Sequence, residues 1–169
     1  GTGKTTLARI IAQTTNAVMK EISAVSSGVK DLRTVISMGN TNREMGKQTL
    51  LFIDEIHRFN KSQQDALLHA VEEGTIILIG ATTENPSFEV ISPLLSRCRV
   101  LTLRTLEESH LESILGHAFN TDIILSQLHI KIESNIQGKL IQSAGGDARK
   151  MLNTLDVAVQ LLGEEKKIT

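Results

Sequence analysis

Apolar residues in the first hundred positions fall into short runs that predict buried strands. Residues 50–53 are apolar at four consecutive positions, and residues 75–81 contain a second run of this kind. A run without polar interruptions is typical of a parallel strand that is covered on both faces. Residues 18–23 alternate in part, and residues 99–103 are a further strand candidate.

Other segments repeat apolar residues at the spacing of an amphipathic helix. Before residue 104 these helices alternate with the strands, and after it only helices are predicted. The predicted helices lie at about 4–14, 29–40, 62–73, 107–119, 134–144 and 148–162. The segment 122–132 fits neither pattern. The alternation predicts an α/β domain with a parallel sheet flanked by helices at residues 1–104, and a small all-α domain at residues 105–169.

Composition limits the classes of function only weakly. The chain has 169 residues, of which 40% are hydrophobic and 22% charged, as in ordinary globular proteins. A formal net charge of −1 gives no overall positive field, and no basic cluster marks a path for DNA. Aromatic residues make up 2%, without Trp or Tyr, which argues against a base-stacking platform. A single cysteine excludes an internal disulfide and fits a reducing compartment.

The first six residues match the second half of the phosphate-binding pattern G-x-x-x-x-G-K-[ST], and they read Gly1-Thr2-Gly3-Lys4-Thr5-Thr6. In that pattern, backbone N–H groups at the start of a helix surround phosphates. Lys4 would reach the β- and γ-phosphates, and the Thr5 hydroxyl would ligate Mg²⁺. The alternative is a chance turn before a helix. Because the opening glycine of the pattern would lie before Gly1, we expect the chain to be a fragment that begins inside its motif.

Two carboxylates follow the apolar run at residues 50–53. Asp54 and Glu55 would lie at the edge where open α/β sheets bind ligands. Asp54 suits the outer shell of Mg²⁺, and Glu55 suits activation of a water for attack on the γ-phosphate. A solvated acidic turn is the alternative. His57 and Arg58 are expected to make surface or interdomain contacts.

Polar residues also follow the run at 75–81. Thr82, Thr83 and Asn85 would lie beside the acidic pair if the two strands are neighbours. Their side chains could then hydrogen-bond the attacking water or the γ-phosphate and report its presence. A simple turn explains the same residues equally well.

Two arginines are further candidates. Arg97 precedes a predicted strand near the surface, where an arginine is either solvated or stabilises transition-state charge in a neighbouring subunit. Arg149 lies in the first turn of a helix, where a cation opposes the helix dipole. A phosphate partner or a salt bridge would explain that position.

Together these segments resemble the AAA+ ATPases of the clamp-loader branch, and the residues that carry the resemblance are Gly3-Lys4-Thr5, Phe52-Ile53-Asp54-Glu55, Ser96-Arg97-Cys98 and Gly146-Asp147-Ala148-Arg149. Residues 54–67 and 79–89 resemble more narrowly the replication-associated recombination protein family, related to the eukaryotic Werner helicase-interacting ATPase. The resemblance covers nearly all of the chain and is densest at residues 50–103.

The resemblance implies an ATPase for DNA replication, recombination and repair at stalled or damaged forks. It implies ATP and Mg²⁺ as cofactors, and it implies DNA with single-stranded ends, gaps or forks, replication-fork proteins and a homo-oligomer, expected as a tetramer, as partners. No membrane partner is implied. The location would be the cytoplasm, with the nucleoid, in a bacterium, or the nucleus in a eukaryote.

The resemblance also assigns roles to residues. It implies catalytic roles for Glu55, Thr83 as sensor 1, Arg97 as a finger in trans and Arg149 as sensor 2, with Asn85 a weaker sensor candidate. It implies nucleotide binding by Gly1, Thr2, Gly3, Lys4, Thr5, Thr6 and Arg149, and metal binding by Thr5 and Asp54.

Two other functions stay open at this point. One is a clamp-loader subunit or branch-migration motor of the same superfamily, against which residues 84–88 argue. The other is a nucleotide switch that scaffolds other proteins without hydrolysis, against which Glu55 argues. The resemblance implies a sheet whose central first strand would precede Gly1 and an oligomerisation region that would follow the chain. We therefore expect the 169 residues alone to be unstable and inactive.

Overall fold

The computed structural model describes residues 2–128, 131–161 and 167–168. Two units can be separated: one is Gly3–Thr102, and the other runs from Leu103 onward and includes Thr2. The division lies two residues before the boundary predicted from the sequence.

The first unit is built on a parallel sheet. Strands β1, β2 and β3 pair in that order, with Ser23 beside Asp54 and Ile53 beside Gly80. The elements of this unit are α1 (Lys4–Thr14), β1 (Val18–Ser23), α2 (Val29–Glu44), β2 (Thr49–Asp54), a 3₁₀ turn (Ile56–Arg58), α3 (Lys61–Glu72), β3 (Ile77–Gly80), α4 (Pro86–Glu89) and α5 (Ser92–Leu95).

Strand β2 is the centre of this unit, because helices cover both of its faces. Leu51 and Ile53 belong to one apolar cluster with residues of α2 and α3, whereas Leu50 and Phe52 belong to another with Ala8 and Ala12 of α1. Burial of a side chain of this size contributes about 1.5 to 3 kcal/mol. The predicted parallel strand covered on both faces is confirmed.

The strand predicted at residues 99–103 is wrong. These residues pair with no other strand among the residues that the structure describes, and Val100 and Leu101 are 54% and 66% exposed. An apolar pattern is compatible with a strand, but ladder hydrogen bonds to a neighbour are what form one.

The second unit is mainly helical, with a core of residues from three helices: Leu111, Leu115, Ile141, Ala144, Met151 and Leu155. Its helices are α6 (Glu108–Thr121), α7 (Ile123–Leu128), α8 (Ser134–Ala144) and α9 (Ala148–Gln160). It also contains a short parallel pair, β4 (Lys131–Ile132) with β5 (Lys167–Ile168), so the predicted all-α composition holds for its core only. No helix in the described part of the chain is long and apolar enough to cross a bilayer.

Candidate functional site

The start of α1 has the backbone geometry of an anion-binding loop. Gly3 precedes the helix with φ of 86°, a left-handed conformation that a residue with a Cβ adopts only at a cost. The first N–H groups of a helix have no partner within the helix, and their partial positive charge attracts anions. The first turn of α1 contains no acidic residue, and Lys4 and Thr5 are half-buried in it.

The direction of α1 brings this helix start to the carboxyl edge of the sheet. Residues 15–17 connect α1 to β1, so the helix runs back along the strand. Arg9 confirms the alignment, because its Nε donates to Glu21 Oε1 at 2.8 Å and this bond lowers the pKa of the Glu21 carboxyl. A helix of this length rises about 16 Å and the strand about 20 Å. Gly3 therefore lies near the level at which β1 and β2 end.

The acidic pair lies at that same edge. Asp54 is the last residue of β2 and is half-buried, and Glu55 follows it with φ of 55° and ψ of 45°. A left-handed conformation costs a non-glycine residue about 1 to 2 kcal/mol, so neighbouring contacts must hold it. Ile56 N donates to Ala81 O at 3.0 Å, which fastens the turn to the segment that follows β3.

Glu55 meets the end of the neighbouring strand through one carboxylate oxygen. The Thr83 hydroxyl donates to Glu55 Oε2 at 3.3 Å, and His57 Nδ1 lies 3.2 Å from the same oxygen. The expected proximity of the acidic pair and the residues after β3 is therefore observed. Neither contact involves Oε1, which leaves that oxygen able to accept a hydrogen bond from a water.

The prediction that His57 makes a surface contact is wrong. Its side chain is 13% exposed, and Nδ1 lies 2.9 Å from Thr82 Oγ1 as well as close to Glu55. The available signal was its place two residues after Glu55, in a turn at the ligand-binding edge of the sheet. Arg58 is exposed, as expected.

Asn85 and Thr83 make different contacts. Asn85 precedes α4, and its Oδ1 accepts from Ser87 N at 3.0 Å, as in a helix cap. Thr83 instead contacts Glu55. Of the two sensor candidates, Thr83 is the one that the structure brings to the acidic pair.

Arg97 is held within its own unit. It follows α5, where its Nη1 donates to Pro93 O at 2.9 Å, and its Nη2 lies 2.5 Å from Glu72 Oε1 at the end of α3. The guanidinium is partly exposed in this arrangement.

Burial raises the pKa of the adjacent Cys98 thiol, so Cys98 is a poor nucleophile at neutral pH.

Arg149 belongs to the second unit. It is the second residue of α9 and is exposed. Asp147 precedes this helix, and its Oδ1 accepts from Lys150 N at 2.9 Å. Gly145 and Gly146 end α8 with φ of 59° and 81°. Thr2 is half-buried in the same unit, and the role predicted for Gly1 falls on a residue outside those described.

The chemistry of the sheet edge fits a nucleotide polyphosphate with Mg²⁺. An open helix start with a lysine can bind phosphate oxygens. The Thr5 hydroxyl and the Asp54 carboxylate supply oxygen atoms, which Mg²⁺ prefers as ligands. Glu55 Oε1 could take a proton from a water.

Comparison with known proteins gives consistent matches. The family model of the ATPase family associated with various cellular activities (AAA) matches residues 1–106. Replication-associated recombination protein A of Haemophilus influenzae is 48% identical over 165 residues, which are 97% of this chain and 37% of that protein. The protein of the same name from Coxiella burnetii is 50% identical over 166 residues, which are 98% of this chain and 37% of that protein.

A eukaryotic relative is similar to nearly the whole chain as well. ATPase WRNIP1 of Dictyostelium discoideum is 46% identical over 166 residues, which are 98% of this chain but 19% of that protein. The chain thus spans well under half the length of these relatives. Because the AAA model matches more than half of the chain, including Lys4, Asp54, Glu55 and Thr83, this chain belongs to the AAA family of ATPases.

Proposed function

We propose that the protein containing this chain hydrolyses Mg²⁺-ATP in order to act on DNA during replication-associated recombination or repair. The contact between Glu55 and Thr83 carries the hydrolysis part of the proposal, because it joins the ends of adjacent parallel strands at the edge that the start of α1 faces. The names of the relatives support the DNA context. DNA with single-stranded ends, gaps or forks is the proposed substrate.

Binding is assigned to the start of α1 and to the last residue of β2. The backbone of Gly3 to Thr6 and the Lys4 ammonium would hold the phosphates, while the Thr5 hydroxyl and Asp54 would hold Mg²⁺. When bound, ATP supplies the γ-phosphate that water attacks, and Mg²⁺ neutralises part of its charge.

Catalysis is assigned to Glu55 with Thr83 beside it. Glu55 Oε1 would accept a proton from the attacking water, since the two observed contacts use Oε2. The Thr83 hydroxyl can donate either to Glu55 or to a nucleotide oxygen, so it is suited to report the presence of nucleotide. A protein that only bound nucleotide would need no such base.

Two arginines would complete the site. Arg97 would act in trans in a homo-oligomer, which we propose to be a tetramer, by leaving Glu72 and stabilising charge in a neighbouring site. Arg149 would couple nucleotide binding to the helical unit. Other replication-fork proteins are proposed partners.

The first arm of the test measures ATP binding and turnover by variants of the full-length protein. Glu55→Gln should bind ATP with an affinity within about twofold of the unmodified protein but lose turnover by about 10³-fold, because general base catalysis contributes about 10² to 10⁴. Glu112→Gln, at an exposed position of α6, is the matched control and should leave turnover unchanged.

The second arm mixes Glu55→Gln with Arg97→Ala. Each variant alone should be inactive, whereas mixed oligomers would contain interfaces that pair an intact Glu55 with an intact Arg97. Recovery of DNA-stimulated turnover on mixing supports action in trans. Normal turnover by Glu55→Gln alone would contradict the assignment of Glu55, and no recovery on mixing would contradict action in trans.

A further inference from the structure

His57 is the residue of this edge to which the proposed function gives no role. Its Nδ1 lies between two oxygen atoms, at 2.9 Å from Thr82 Oγ1 and 3.2 Å from Glu55 Oε2. The ring is more buried than the Glu55 carboxylate, with 13% against 28% exposed. A ring held in this way has little freedom to turn away from Glu55.

The chemistry of the two partners favours one position for the ring hydrogen. A lone pair on Nδ1 would face the carboxylate oxygen and be repelled by it, whereas an Nδ1–H group attracts both oxygen atoms. Thr82 Oγ1 also accepts from Glu84 N at 3.0 Å, which fixes this oxygen at the end of β3. The carboxylate contact therefore favours the tautomer with a hydrogen on Nδ1, which Thr82 Oγ1 and Glu55 Oε2 would share.

We propose that His57 is a positioning residue that holds the Glu55 carboxylate through Nδ1–H and turns Oε1 toward the attacking water. The inference rests on the proposed role of Glu55 as the base. Thr83 and His57 would then both donate to Glu55 Oε2 but have different roles. Thr83 can exchange Glu55 for a nucleotide oxygen, while His57, fixed by Thr82, keeps the carboxylate in place during that exchange.

Two substitutions test whether the position of the hydrogen-bond donor at residue 57 matters. His57→Asn places an amide nitrogen where Nδ1 lies, and His57→Gln places it one bond farther out, near the position of Nε2. In the full-length protein we expect His57→Gln to lower kcat about 10- to 100-fold, the effect of losing a hydrogen bond to a charged group. The KM for ATP should change less than about twofold. His57→Asn should keep kcat within about threefold of the unmodified protein.

The control is His117→Gln, a histidine at an exposed position of α6, which should leave both parameters unchanged. Thermal melts identify any variant that fails to fold, and the Asn and Gln variants can be compared directly because both are uncharged amides. A kcat for His57→Gln equal to that of the unmodified protein would overturn the inference. So would a His57→Asn variant as slow as His57→Gln, or an effect confined to KM.

A readout without turnover tests the hydrogen on Nδ1. In nucleotide-free protein labelled with ¹⁵N-histidine, the resonance that disappears in His57→Gln should show a protonated Nδ1. A bare Nδ1 would overturn the inference. Glu55→Gln distinguishes the two levels of the proposal. If it keeps full turnover, the proposed role of Glu55 as the base fails, and if it is inactive while His57→Gln is fully active, only the role of His57 fails.

Discussion

Gly80 is the last residue of β3, and its missing side chain leaves room for the turn that carries Glu55. A Cβ at this position would lie 2.8 Å from Ile56 Cδ1 and 3.2 Å from Ile56 Cγ2. Ile56 is 4% exposed and cannot swing into solvent. We therefore expect Gly80→Ala to lower the free energy of unfolding by about 1 to 3 kcal/mol, the usual cost of overpacking. It should also lower kcat, because Ile56 moves together with Glu55.

Ile56→Val is expected to relieve the overpacking caused by Gly80→Ala, because it removes Cδ1 and keeps Cγ2. Alone it should cost about 0.5 to 1.5 kcal/mol. Combined with Gly80→Ala it should remove the closest contact, so the double variant should be more stable than the sum of the single effects by at least about 1 kcal/mol. Urea unfolding and steady-state ATP turnover of all four full-length proteins measure this. Additive effects to within about 0.5 kcal/mol would refute the reasoning.

Two further predictions concern other contacts. Glu72→Gln removes the charge that pairs with Arg97 in its own unit. Because an exposed pair contributes at most about 1 kcal/mol, making Arg97 available for action in trans should raise turnover at limiting protein concentration by up to about fivefold. Unchanged or lower turnover would show that the pair does not compete with action in trans. Gly39→Ala places a Cβ 2.9 Å from Thr75 O and should destabilise by about 1 to 3 kcal/mol, whereas Gly116→Ala in α6, with no atom within 4 Å, should stabilise by about 0.5 to 1 kcal/mol. Thermal melts that shift both variants in the same direction would contradict this contrast.

The elements that the sequence predicts well are those whose signal is local. The prediction of a strand at residues 18–23 matches β1, and that of a helix at 134–144 matches α8. In both, the residues themselves carry the period of the element. Residues 99–103 carry a similar apolar signal but form no strand, since pairing depends on a neighbour that no local pattern describes.

The site shows the same limit at the level of side chains. The sequence predicts that Glu55 and Thr83 lie close together if their strands are neighbours, because the carboxyl ends of neighbouring parallel strands meet at one edge, and β2 and β3 do pair. It is not enough to place His57. That placement depends on the left-handed backbone of Glu55, which turns the chain back toward the end of β3. A glutamate is uncommon in that conformation, so no propensity predicts it.

The strain at Glu55 connects the stability of the first unit to its proposed chemistry. A conformation that costs about 1 to 2 kcal/mol persists only when surrounding contacts determine it. Here the contacts are the backbone bond from Ile56 to Ala81, the packing of Ile56 against Gly80, and the polar contacts of Glu55 with His57 and Thr83. All of them join the turn after β2 to the end of β3 or lie within that turn. Substitutions that loosen the β2–β3 edge should therefore impair turnover even where they touch neither nucleotide nor metal.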